Sequence, residues 1–241
     1  GGQQANVIGA RLASGPMTDR WVVLDVGETL IDETRVFRTW AEIFGIPEFT
    51  LMAVLGGAIT NADRADDWRR FFELIQHPDW QDSRQDFEVR YGDLRPDDLY
   101  PDALRAIDGL KARGYRVAVT ANQPARRHAE LEALGVRVDA MGMSDAMGVA
   151  KPDPAFFERT LELMGSPNAG DVAYVGDRVD NDVAPSAAAG MRAVWIRRGP
   201  WGLLHEDHDG VSCLEVRSLD ELVERIDEAW TVASSGGMSR E

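Results

Sequence analysis

Four short stretches of the chain are apolar on consecutive positions: Val22, Val23 and Leu24, then YRVAVT (115–120), DVAYVGD (171–177) and MRAVWIR (191–197). Strands covered on both faces, as in parallel sheets, carry this pattern. Between these stretches the apolar positions recur at helical spacing. PDALRAIDGLKARG places Leu104, Ile107 and Leu110 on one stripe, with Asp102 expected as N-cap and Gly114 as the stop. KPDPAFFERTLELMG predicts a helix capped by Asp153, with Pro154 at its first position and Phe157, Leu161 and Met164 on one face. SLDELVERIDEAW opens with a Ser218–Glu221 capping box and stripes Leu222, Ile226 and Trp230. Strands alternating with helices predict an α/β fold with a doubly wound parallel, Rossmann-like sheet core.

Residues 32–100 break the alternation. They hold helical stretches (TRVFRTWAEIFG, FTLMAVLGGAI, ADDWRRFFELIQ, SRQDFEVRYGDL) and no strong strand pattern. The expected organisation is therefore a first core strand in 17–31, an all-helical insertion over 32–100 and the rest of the core over 101–233. An insertion that leaves straight after the first strand sits above the carboxyl ends of the strands, where doubly wound sheets place their sites. Residues 1–16, opening GGQQ, read as an extension or tag remnant, and 234–241 as a frayed tail.

Composition narrows the class. A net charge of −15 argues against nucleic-acid or anionic-membrane partners. No apolar run approaches a membrane span. The single cysteine, Cys213, forbids an intramolecular disulfide and suits the cytoplasm. Either a monomer or a homodimer is compatible with the sequence.

The strand ends carry the candidate chemistry. The first ends on Asp25, the second at TANQ (120–123), and a later one at GDRVDND, which holds Asp177, Asp180 and Asp182; Lys151 precedes a helix. In a parallel sheet these termini meet at one edge. Clustered carboxylates repel, and one lysine cannot neutralise them, whereas a hard cation such as Mg2+ can. A metal among carboxylates beside a lysine suits phosphate, and aspartate can attack phosphorus to give an aspartyl phosphate. The residues alone thus predict Mg2+-dependent phosphoryl transfer through Asp25 on a small phosphorylated substrate.

The set VVLDVGETL, VAVTANQ, GVAKPDPAFF and YVGDRVDNDVAPSAAAG resembles the haloacid dehalogenase-like hydrolase superfamily, from Met17 to about Trp230. The resemblance implies Asp25 as nucleophile and metal ligand, the Gly27 carbonyl as a second ligand, Asp177 as a direct ligand and Asp182 behind it. Lys151 would bridge nucleophile and phosphate, and the segment TANQ would hold phosphate through Thr120, Ala121 and Asn122. Residues 32–100 would form a mobile cap, whose Arg35 and Arg38 are candidates for a substrate anion. Two positions depart from the family's phosphatase pattern. Gly27 stands where a second Asp, the acid/base, is usual, with Glu28 following it as a candidate replacement. Ala121 stands where Ser or Thr is usual, and Thr120, one residue earlier, points to the other strand face unless the strand end bulges.

Four functions compete. A phosphatase fits the acids and lysine. A dehalogenase of the same superfamily lacks the acidic pair of GDRVDND. Phosphonate cleavage uses a cap lysine, and 32–100 contains none. A catalytically impaired relative with a binding role would fit Gly27 and Ala121. His205 and His208 in HEDHD read as a solvated loop, and Trp40, Trp68 and Trp80 as cap core.

Overall fold

A computed structural model describes residues 19–61, 67–208 and 210–232. The extension at 1–16 and the tail at 234–241 lie outside the described residues. Six strands form one sheet: β1 (Trp21–Leu24), β2 (Arg116–Ala121), β3 (Ala140–Met143), β4 (Val172–Gly176), β5 (Arg192–Ile196) and β6 (Leu214–Val216). Their order is β3-β2-β1-β4-β5-β6, and every neighbouring pair is parallel. The α/β parallel sheet expected from the apolar runs is therefore present. β3 and β6 escaped the sequence reading because AMGM and LEV are too short, and the former too rich in Gly and Met, to read as strands.

Between β1 and β2 come α1 (Thr34–Phe44), α2 (Glu48–Asn61), α3 (Asp67–Leu74), α4 (Arg84–Tyr91) and α5 (Ala103–Ala112). The remaining helices are α6 (Arg127–Ala133), α7 (Ser144–Met147), α8 (Pro154–Leu163), α9 (Ala184–Ala188), α10 (Gly199–Leu204), α11 (Leu219–Arg225) and α12 (Ala229–Val232). Alternate residues of β1 feed two cores, as a period of two requires. Val22 and Leu24 join Ala106, Ile107, Leu110 and Leu222 on one face. Trp21 and Val23 join Phe156, Phe157 and Met164 on the other. A third cluster belongs to α1–α3: Phe37, Trp40, Leu51, Leu55, Phe71 and Phe72, joined by Trp201 from α10.

Local expectations hold in part. Asp153 accepts from the Ala155 N–H at 2.9 Å, and Ser218 accepts from the Glu221 N–H at 3.0 Å. Glu221 does not close the box; its carboxylate accepts from the Arg217 N–H instead. Asp102 makes no cap bond, because its buried carboxylate is taken by Arg198 and the Leu219 N–H. His205 is buried rather than solvated, and its Nδ1 accepts from the Val179 N–H at 3.4 Å.

Candidate active site

The carboxyl ends of β1, β2 and β4 converge on a cavity of about 700 Å³. Asp25 follows β1 directly, its N–H held by the Val175 carbonyl at 2.9 Å. Asp177 follows β4, and its carbonyl accepts the Trp195 indole N–H at 2.9 Å. A π-helical turn, Val179–Val183, then swings Asp182 back beneath the strand end. There its Oδ2 accepts the Arg178 N–H at 3.0 Å. That return needs Gly176: a Cβ there would lie 2.2 Å from the Asp182 carboxyl carbon.

Lys151 Nζ sits 2.8 Å from Asp25 Oδ1 and 2.6 Å from Asp182 Oδ1, with all three side chains buried. Its loop is fixed by Asn122, which donates to the Lys151 carbonyl at 2.9 Å and accepts its N–H at 2.7 Å. Burial works against the lysine charge, but Asp182 and Asp25 outweigh it and hold the ammonium above its ordinary range. Burial pushes the Asp25 carboxyl up to about 6, with Lys151 pulling the other way and Asp182 adding to the rise. Asp177 is raised well above the usual carboxylate range by burial, then by Asp182 and Asp25. One oxygen from each of Asp25, Asp177 and Asp182 lies within 4.8 Å of the others. Three carboxylate oxygens this close together, two of them on groups whose pKa is raised, fit a hard divalent cation.

Asp25, Gly27, Glu28, Asn122, Lys151, Asp177 and Asp182 thus share one cavity. Four other expected residues do not line it. Thr120 is fully buried on the opposite strand face, its hydroxyl 3.3 Å from that of Thr160. Ala121 packs in the core on the other side. The strand keeps its alternation to the end, so Thr120 is not brought round to replace the absent hydroxyl. Arg35 is turned away into a pair with Asp98, donates to the Tyr91 carbonyl at 2.5 Å and stacks on the Tyr91 ring. Arg38 pairs with Glu48 on the surface.

Glu28 adopts a left-handed backbone, φ 48°. Both its oxygens are engaged: Oε1 accepts the Glu33 N–H at 2.8 Å, and Oε2 accepts the Tyr100 hydroxyl at 2.5 Å. Burial raises its pKa despite these bonds.

The sequence reading missed several wall residues. Arg178 pairs with Asp180 and lies over the Trp201 ring at 5.1 Å. Trp68 and Trp201 wall the cavity as well as packing in the helical cluster. Glu33, just before α1, also faces the cavity. Burial pushes its carboxyl up to about 8, with Glu28 and Asp25 adding to the rise. An acid at a helix start reads as a partner of the helix dipole, so nothing in the sequence marked it.

The family model of haloacid dehalogenase-like hydrolases matches residues 20–190. The chain belongs to that family of hydrolases. It is 34% identical over 139 residues to a glyceraldehyde 3-phosphate phosphatase of Methanocaldococcus jannaschii, covering 56% of this chain and 58% of that protein. It is 33% identical over 178 residues to a phosphoglycolate phosphatase of Rhodospirillum rubrum, covering 70% and 66%. The match thus spans little more than half to about two thirds of these curated relatives. Among solved structures, magnesium-bound YfnB of Bacillus subtilis aligns with TM-score 0.65 at 18% identity, over 86% of this chain and 98% of that one. An L-2-haloacid dehalogenase of Xanthobacter autotrophicus aligns with TM-score 0.64 at 19% identity, over 86% and 98%. Both likenesses concern the fold.

Proposed function

We propose that the protein is a cytoplasmic Mg2+-dependent phosphatase of a small phosphorylated metabolite, with Asp25 as nucleophile. The observation that carries this reading is the Lys151 ammonium held between Asp25 and Asp182 in the wall of the cavity. Asp25 attacks phosphorus and forms an aspartyl phosphate, while Lys151 offsets the charge between the carboxylate and the incoming dianion. Asp25, Asp177 and the Gly27 carbonyl would hold Mg2+, with Asp182 behind them, and the ion would stabilise charge on the phosphoryl oxygens. Asn122 sets the lysine in place. The helices α1–α4 act as the cap, and Trp68 and Trp201 close the cavity above the acids. The names of the curated relatives, phosphatases of glyceraldehyde 3-phosphate and phosphoglycolate, favour small phosphate esters.

A second reading, an impaired relative with a binding role, draws on Gly27 and on the end of β2, where Ala121 and Thr120 both pack away from the cavity. Aryl-phosphate hydrolysis separates the two. The phosphatase predicts turnover that EDTA abolishes and Mg2+ restores, and that Asp25→Asn lowers at least about a thousand-fold, as expected for loss of a covalent nucleophile. Absence of turnover in the wild type, or equal rates in Asp25→Asn, leaves the binding role.

A further inference from the structure

A second carboxyl group at this site stands in an unusual place. A Cβ built on Gly27 would lie 2.7 Å from Glu33 Oε1 and 3.1 Å from its carboxyl carbon. The carboxyl of Glu33 therefore fills the volume into which a side chain at position 27 would grow. Gly27 is outside the left-handed region, so the backbone there would tolerate a side chain, and Glu33 is what occupies the space. The neighbouring acid cannot serve instead. Both oxygens of Glu28 are committed, one of them to the Glu33 N–H. Glu33 differs: its carboxyl accepts no hydrogen bond among the described residues, and it faces the same cavity as Asp25 and Lys151. Glu28 thus works as a positioning residue that clamps the backbone from which Glu33 projects.

We infer that Glu33 is the general acid and base of this enzyme, delivered from the start of α1 into the space left by Gly27. The inference rests on the phosphatase reading above. As Asp25 Oδ forms its bond to phosphorus, the bond from phosphorus to the ester oxygen breaks. The Glu33 carboxyl proton passes to that oxygen, which leaves as an alcohol. Glu33, now a carboxylate, then takes a proton from the water whose oxygen attacks the phosphorus of the aspartyl phosphate. The bond between phosphorus and Asp25 breaks, and inorganic phosphate, the Asp25 carboxylate and protonated Glu33 are regenerated. Because Glu33 opens the first cap helix, the acid would arrive with the cap rather than belong to the core.

The test compares 2,4-dinitrophenyl phosphate, whose leaving group needs no proton, with phenyl phosphate, whose leaving group does, in excess Mg2+. Glu33→Gln should release about one equivalent of dinitrophenolate rapidly and then stall, because the acyl phosphate forms but water is not activated. On phenyl phosphate it should show no burst and fall about a hundred-fold or more below wild type. Glu33→Ala should lose activity likewise, and adding Gly27→Asp to it should return at least about ten-fold, the acid having been moved to the emptied space. Wild-type-like rates in Glu33→Gln overturn the inference. So does equal slowing on both substrates without a burst and without recovery in the double variant, which marks a structural role. A wild type inactive on both substrates, or an Asp25→Asn protein as active as wild type, removes the phosphatase reading itself and this inference with it.

Discussion

Single residues at this site are set by how closely others approach them. The four groups of the charged cluster, Asp25, Lys151, Asp177 and Asp182, could be read from the chain because each lies just after a strand or just before a helix. Parallel topology then brings such termini to one edge. Glu33 could not be read, because its role depends on a volume, and the volume exists only once the turn at Gly27 meets the start of α1. Gly176 makes the same point on the other side of the cavity. Its missing Cβ admits the Asp182 carboxyl, which would otherwise be 2.2 Å away. Gly176→Ala should push Asp182 off Lys151, destabilise the fold by about 1–3 kcal/mol through overpacking, and lower turnover. Thermal unfolding and aryl-phosphate rates measured together check this. Unchanged stability and unchanged rate would mean that the turn relaxes freely around an added methyl.

At the scale of elements, the segment between β1 and α5 is clasped at its base. Arg35, in α1, forms a two-pronged pair with Asp98, its Nε 2.8 Å from Oδ1, and Asp98 also accepts the Arg95 N–H at 2.7 Å. The sequence suggested a substrate role for Arg35 because an arginine after the hinge can reach either way; the partner that decides lies 63 residues on. Asp102 was misjudged for the same reason: a distant arginine, Arg198, outcompeted the local cap. Burial raises the pKa of Asp98, but the hydrogen bonds from Arg35 and the Arg95 N–H outweigh it and hold the carboxyl below its usual 3.8. A carboxyl with a depressed folded pKa adds stability that is complete above its unfolded value and is lost as the pH falls through the folded one. The clasp should therefore be intact at pH 6 and weaken below about pH 4. Asp98→Asn should cost about 1.5–3 kcal/mol at pH 6, the worth of hydrogen bonds to a charged group, and progressively less as the pH falls below about 4. Denaturant unfolding of both proteins across that range checks the sign; a difference that grows toward acid pH would contradict it.

Across the whole molecule, the buried aromatic cluster of the helical segment is completed from the other side of the cavity. Residues of α1–α3 and Ile75, just after α3, supply its other buried members, and Trp201 enters from α10, which follows β5. Its ring centroid lies 5.7 Å from Trp68 and 6.3 Å from Phe37, and Arg178 sits over it. The helical pattern of 32–100 was legible from its spacing. This joint was not, because Trp201 lies more than a hundred residues later, in a helix too short to show a period. The cluster is separate from the two cores that flank the sheet, so losing Trp201 should loosen one part and spare the other. Trp201→Ala removes a side chain that is 3% exposed, a change that typically costs about 3–5 kcal/mol. Amide exchange is expected to speed up across α1–α3 while β1 and β4 keep their protection. Equal losses in helices and strands would show that the helical segment and the sheet unfold as one unit, and unchanged protection would show that the joint contributes little. With the joint loosened, Glu33 at the start of α1 would lose its fixed place beside Gly27. The same variant should therefore lose turnover on phenyl phosphate more than on dinitrophenyl phosphate, which needs no proton for its leaving group.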